Sequence, residues 1–168
     1  MAAPQIMMKY FTFSLSIVFI SWIVGMVINT LLSKTDFYQQ RLSNLNFIKN
    51  EKLNAIIGLE LFKWIIMHSF FKYFNPKLSI KKRIVISELG AYRSEMTKAE
   101  LGHLFAFLFT GIFIVIKIAN GLYLFAAVML LLNVIMNLYP GLLQQQNKRR
   151  IDRYFQLLNQ RSFQSPVR

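Results

Sequence analysis

Cysteine is absent from this 168-residue chain, and acidic residues are scarce, with 7 Asp+Glu against 20 Lys+Arg. Without a thiol there is no disulfide, no thiolate metal site and no cysteine nucleophile. Histidine occurs only at His68 and His103. Catalytic zinc takes three protein ligands, so Glu100, His103 and His68 would form a set only if the segment carrying His68 folds onto the one carrying His103. The Glu-x-x-His spacing of Glu100 and His103 is half of a di-iron bundle site, which needs the motif twice; it stands once here. No metal and no cofactor are therefore expected. Nor is there a glycine-rich phosphate loop, a G-x-S-x-G elbow or a His-x4-Asp acyltransferase signature. Charge is low altogether: 16% of residues, where soluble domains carry about a quarter.

What fills the chain instead is apolar, 55% hydrophobic with 16 Phe and 7 Tyr, the composition of a membrane protein. The formal charge of +13 could suit nucleic acid, but the basic residues border apolar runs. Anionic headgroups and membrane topology account for them, and no nucleic-acid partner is expected. Three runs qualify as spans of roughly 30 Å of hydrocarbon: residues 10–32, 99–116 and 122–143. Lys9 precedes the first, yet no Ala-x-Ala-like site follows it, so it reads as a retained anchor. "KIANG" between the other two is long enough only for a tight turn with Asn120-Gly121 at its tip, which makes these spans an antiparallel hairpin. The fold class is all-α, a single membrane domain over residues 1–168.

Residues 53–74 are also long enough to cross, but Glu60, Lys63, His68 and Lys72 would enter the bilayer, at about 2.5 to 3.5 kcal/mol for each central charge. Crossing would also put Lys34, Arg41, Lys49 and Lys52 on the face opposite Lys77, Lys81, Lys82, Arg83, Arg93 and Lys98, against the positive-inside tendency. An interfacial or re-entrant helix fits better. Asn75-Pro76 ends it, and residues 79–98 are expected along the headgroups. The same rule places the N-terminus and hairpin turn outside and residues 33–98 with the basic tail, 144–168, in the cytoplasm, as expected of a multi-pass protein of a bacterial inner membrane.

Glu100 and His103 lie on one helical face where the second span begins. A carboxylate can orient an imidazole, and the pair could take a proton from a hydroxyl that attacks an acyl carbonyl; as a bland alternative, it satisfies itself at the interface. On the third span Asn133, Asn137, Pro140, Gln144 and Asn147 follow one line, and the hairpin brings Asn137 and Gln144 to the depth of Glu100 and His103. Asn133 reads as interhelical glue, while Asn137 suits glue and site about equally. Pro140 is expected to kink the helix. The run after it, "QQQNKRRIDRYFQLLNQR", looks amphipathic, fit for anionic lipid or a phosphate.

"SEMTKAELGHL", then the hairpin, then "NLYPGLLQQQNKRRIDRYFQLL", resembles the bacterial glycosyl-4,4'-diaponeurosporenoate acyltransferases, small membrane proteins of staphyloxanthin-type carotenoid synthesis. Their pattern runs Glu-Thr-x-Arg-Ala-Glu-x-x-His-Trp, two spans, then Gln-x-x-Asn-x-Pro-Arg-Leu. Glu95, Ala99, Glu100 and His103 match the first part; Asn147 and Arg150 fit the second, with Ile151 at the leucine. Met96, Lys98, Leu104 and Arg149 depart from it. The resemblance implies transfer from a fatty acyl donor, as co-substrate, to a sugar hydroxyl on a glycosylated carotenoid or isoprenoid held among membrane lipids. His103 and Glu100 would be catalytic, and Glu95, Asn137, Asn147 and Arg150 would bind substrate or the oxyanion. The rival expectations are a non-enzymatic subunit packed against a membrane protein partner and, more distantly, a metal-dependent lipid oxidase.

Overall fold

The computed structural model describes residues 3–48, 51–69 and 86–164. These form helices α1 (Ala3–Leu32), α2 (Asp36–Gln40), α3 (Glu51–Ile56), α4 (Leu59–His68), α5 (Leu89–Ala119), α6 (Tyr123–Asn133) and α7 (Tyr139–Gln164), with no strand among the described residues. Three stretches are long and apolar enough to cross a membrane: Ala3–Leu32, Leu89–Ala119 and Tyr123–Leu158. They bear out the all-α, three-span architecture.

Helix α1 buries Ser14, Val18, Ser21, Gly25 and Asn29, steps of three and four that make one stripe of mostly small residues. Large side chains such as Ile23, Met26 and Leu31 point outward. Lipid tails are as apolar as leucine, so hydrophobicity does not draw such helices together; close packing of small residues and satisfied polar groups does. Ser14 and Ser21 return their hydroxyls to Tyr10 O and Val18 O at 2.7 Å. Gly25 then meets α5 backbone to backbone: a Cβ there would collide with the Gly102 carbonyl. Asn29 Nδ2 donates to Lys98 O at 2.7 Å.

The hairpin turn is as expected. Gly121 has φ 70°, a backbone state glycine adopts freely, and Asn120 Nδ2 donates to Ile116 O at 2.9 Å. Ile114, Phe125, Ala126 and Met129 pack beside it with Tyr10 and Ile17 of α1. At Pro140 the structure differs from a simple kink. Proline offers no N–H to Met136 and crowds its carbonyl; the helix responds with a π turn over Val134–Leu138, closed by Tyr139 N–H to Val134 O. Chain then continues in α7 through most of the stretch expected to be a tail, of which 165–168 lie outside the described residues.

Two further expectations are corrected. The single helix over 53–74 is broken at Gly58, φ 71°, into α3 and α4, with 70–74 outside the described residues. The 10 residues of α4 reach about 15 Å, too short to span. Leu59 is fully buried against Leu142 and Leu143, and Glu60 turns to α7, accepting from Gln146 Nε2 at 2.8 Å with Arg150 at 3.6 Å. In the segment expected along the headgroups, 79–85 lie outside the described residues, whereas Leu89–Lys98 are the first turns of α5 itself. No proline interrupts them, and Leu89 and Met96 bury against Ile151, Tyr92 and Phe155.

Candidate active site

Helix α5, the π turn and the start of α7 enclose a groove of about 470 Å³ roofed by Phe47, Ile48 and Ile57. Leu104, Phe107, Leu108, Leu138 and Leu142 make its walls apolar; Glu100, His103, Asn137 and Tyr139 are the polar residues among its lining. Its shape suits an alkyl or polyene chain, with a small number of polar groups to fix orientation.

His103 Nδ1 is buried with no hydrogen-bond partner. The ring is held from other sides: the Asn137 side chain hydrogen-bonds to it, and Trp22 of α1 stands edge-on, ring centroids 6.4 Å apart. Asn137 is itself fixed. Its Oδ1 accepts from Trp22 Nε1 at 2.9 Å, and its Nδ2 donates to Asn133 Oδ1 at 2.8 Å and Ser21 Oγ at 3.3 Å. Asn133 Nδ2 closes the chain on Phe107 O at 3.1 Å, the interhelical role expected of it. Asn137 lies within the π turn, a geometry that recurs at functional sites.

Glu100 lines the same groove but does not orient His103, a correction to the sequence reading. Its carboxylate is engaged elsewhere. Oε2 forms an ion pair with Lys148 Nζ, both residues only 2% exposed, and Oε1 accepts from Gln145 Nε2 at 2.7 Å. The ammonium fills its remaining two donor positions with Leu45 O at 3.0 Å and Ser43 O at 3.3 Å. Gln145 Oε1 accepts from Ile48 N at 3.1 Å. Through Lys148 and Gln145, Glu100 thus ties the 43–48 segment, and with it the Phe47–Ile48 roof, onto α5 and α7. A buried pair whose other hydrogen-bonding positions are also filled meets the condition under which burial of charge is tolerated.

Of the remaining expected site residues, Asn147 is buried on α7 but does not line the groove, Glu95 is exposed on α5, and Arg150 faces Glu60. Sequence reading missed Lys148, Gln145 and Trp22. Gln145 and Lys148 are three apart beside the line of Gln144 and Asn147, which was the available signal; Lys148 was hidden in a basic run that reads as facing anionic lipid or a phosphate. Among the described residues no cluster of three or more His, Cys, Asp or Glu could hold a metal ion, and Glu100, already paired with Lys148, is a poor ligand for one.

The family model for glycosyl-4,4'-diaponeurosporenoate acyltransferase matches residues 34–157. No match was found among curated proteins or solved structures. The matched residues begin just after α1 and run into α7, taking in the groove lining, His103 and the whole Glu100–Lys148–Gln145 cluster. By that extent the chain belongs to the glycosyl-4,4'-diaponeurosporenoate acyltransferase family.

Proposed function

We propose that this protein transfers a fatty acyl group from an ester or thioester donor to a sugar hydroxyl of a glycosylated carotenoid or similar glycolipid, with His103 as general base. The supporting observation is the unpartnered, buried Nδ1 of His103 at the edge of an apolar groove. With the ring hydrogen on the nitrogen facing Asn137, Nδ1 carries the free lone pair. It takes the proton of the sugar hydroxyl as that oxygen attacks the acyl carbonyl. The tetrahedral intermediate then collapses, expelling the donor's thiolate or alkoxide, which receives the proton back from the imidazolium; an ester bond forms and the donor's acyl bond breaks. Asn137 holds the ring, and Glu100 acts at one remove by fixing the groove's roof. Glu95, Asn147 and Arg150 take no part in proton transfer.

An acceptor with a polyene tail and a sugar head matches a site where an apolar groove meets a titratable ring. The protein would sit in a bacterial inner membrane with its N-terminus outside and the basic end of the bundle cytoplasmic, the side on which activated acyl donors are made. Replacing His103 by Ala or Gln should lower acylation of a glycolipid acceptor in membranes by roughly 10²–10⁴-fold, read as loss of the acyl mass increment in extracted lipid. Unchanged turnover in a variant that still purifies folded would eliminate His103 as base.

A further inference from the structure

The turns of α5 that precede Glu100 border a second cavity, of about 300 Å³, lined by Ser33, Tyr38, Gln39, Ser43, Gly90, Arg93, Ser94, Thr97 and Lys98. Its chemistry is the opposite of the groove's. No acidic residue lines it, and two of its residues are cations. Many of its polar protons are already committed: Ser33 Oγ to Thr30 O, Ser43 Oγ to Gln39 O, Thr97 Oγ1 to Arg93 O, and Gln39 Nε2 to Ser33 O. The donors still available come from Tyr38, Lys98 and Arg93. Tyr38 is 3% exposed and its hydroxyl has no partner; burial, and then the nearby Glu100 carboxylate, push its pKa up, so it keeps its proton. Lys98 is exposed, with no described carboxylate ion-paired to it. Arg93 gives Nε to Asp152 and Nη2 to Asp152 and Asn44, which leaves Nη1 to turn to a ligand. Asp152 offsets the Arg93 charge and Lys148 that of Glu100, so Lys98 leaves the cleft net positive.

Gly90 lies in the first turn of α5, directly after the 3₁₀ turn Ile86–Glu88. A Cβ built there meets nothing within 4 Å, so the backbone is open to approach. The unpartnered Tyr38 hydroxyl, the remaining Arg93 donor and the Lys98 charge suit an oxygen-rich anionic ligand.

We propose that this cleft binds a phosphate ester, the polar head of the acyl donor whose chain enters the groove beside His103. Two classes of acyl carrier bear that group, a nucleotide thioester and a glycerophospholipid. The assignment of the phosphate to a donor rests on the acyl-transfer reading above; the phosphate site itself does not. Its volume admits a phosphate ester with part of the sugar or glycerol attached, and leaves the apolar chain to the groove.

Binding is measured on the full chain in mild detergent, by calorimetry, with coenzyme A as one probe and a short-chain phosphatidylglycerol below its micellar concentration as the other. Two variants are compared with the unmodified protein: Lys98→Gln, which removes the unpaired cation, and Gly90→Leu, which fills the open space with a residue that favours helix. Saturable binding of either probe, weakened about tenfold or more in both variants and weakened by added salt, is the expected result; the probe that binds identifies the carrier. His103→Ala should bind as the unmodified protein does while losing transfer; an unmodified protein that holds phosphate but shows no transferase activity would refute acyl transfer and leave the phosphate site standing. Absence of saturable binding by either probe, or binding that survives both substitutions, would overturn the site.

Discussion

The two ends of the helical bundle are built on opposite terms. Toward the hairpin turn the helices meet through Ile114, Phe125, Ala126 and Met129 with Tyr10 and Phe113, and the charge there, Lys117, rests over the rings of Phe13 and Phe125 at 4.9 and 4.6 Å. Toward the basic end the same helices meet through Asn133, Asn137, Glu100, Gln145 and Lys148, each buried and bonded across helices. Surrounded by lipid, a polar group must find its partner inside the protein, so such a cluster is placed only where every member is matched. Apolar contacts tolerate small errors of position, whereas hydrogen bonds do not. The polar end is therefore the one that fixes geometry, and the groove opens there.

Lys148→Met tests that contrast most severely. It leaves Glu100 buried and uncompensated and frees the carbonyls of Ser43 and Leu45, at a cost of about 3–5 kcal/mol, to be read from thermal unfolding in detergent. Adding Glu100→Gln should recover much of that loss, because the orphaned charge is what costs most. A Lys148→Met protein as stable as the original would mean the polar end is not the organising one. The next largest effect separates two glycines. Gly25→Val drives a side chain into the Gly102 carbonyl and should destabilise by about 1–3 kcal/mol. Gly111→Ala, where a Cβ meets nothing within 4 Å, should instead stabilise by about 0.5–1 kcal/mol. Equal responses would show that α1 and α5 do not approach as closely as described.

Much of the bundle was legible because its signals are local. Uncharged runs mark spans, Asn120-Gly121 marks a turn, and a helical period aligns Asn133 with Asn137. Boundaries were less so: Leu89–Lys98 mixes charge with apolar residues, and only its packing on Ile151 and Phe155 makes it one helix with the span that follows. The site was half legible for the same reason. His103 and Asn137 can be put at one depth from the hairpin alone, but the partner of Glu100 could not. Three residues along its own helix stands an imidazole; 48 residues away stands the ammonium that takes the carboxylate. Sequence proximity favours the first, and tertiary packing chose the second, because Lys148 satisfies Glu100 and two loop carbonyls together, while a neutral imidazole has a single N–H to give. Gly58 illustrates the remaining gap: within an apolar run a glycine is compatible with a helix, and only its positive φ shows that the helix stops there.

The smallest expected effect lies at the other end of the bundle. Lys117 is the last charge of α5, and its ammonium lies between two rings contributed by α1 and α6. A cation over an aromatic face contributes about 0.5–1 kcal/mol at an exposed site, and the alkyl stem packs regardless of the charge. Lys117→Met keeps the stem length and removes the cation, so it should lower stability by no more than that amount and leave acyl transfer unchanged. Thermal unfolding and the lipid acylation assay, run side by side, read both quantities. A loss of several kcal/mol, or a fall in turnover with the fold intact, would show that the turn end also holds the groove in place, and the division of labour between the two ends would have to be abandoned.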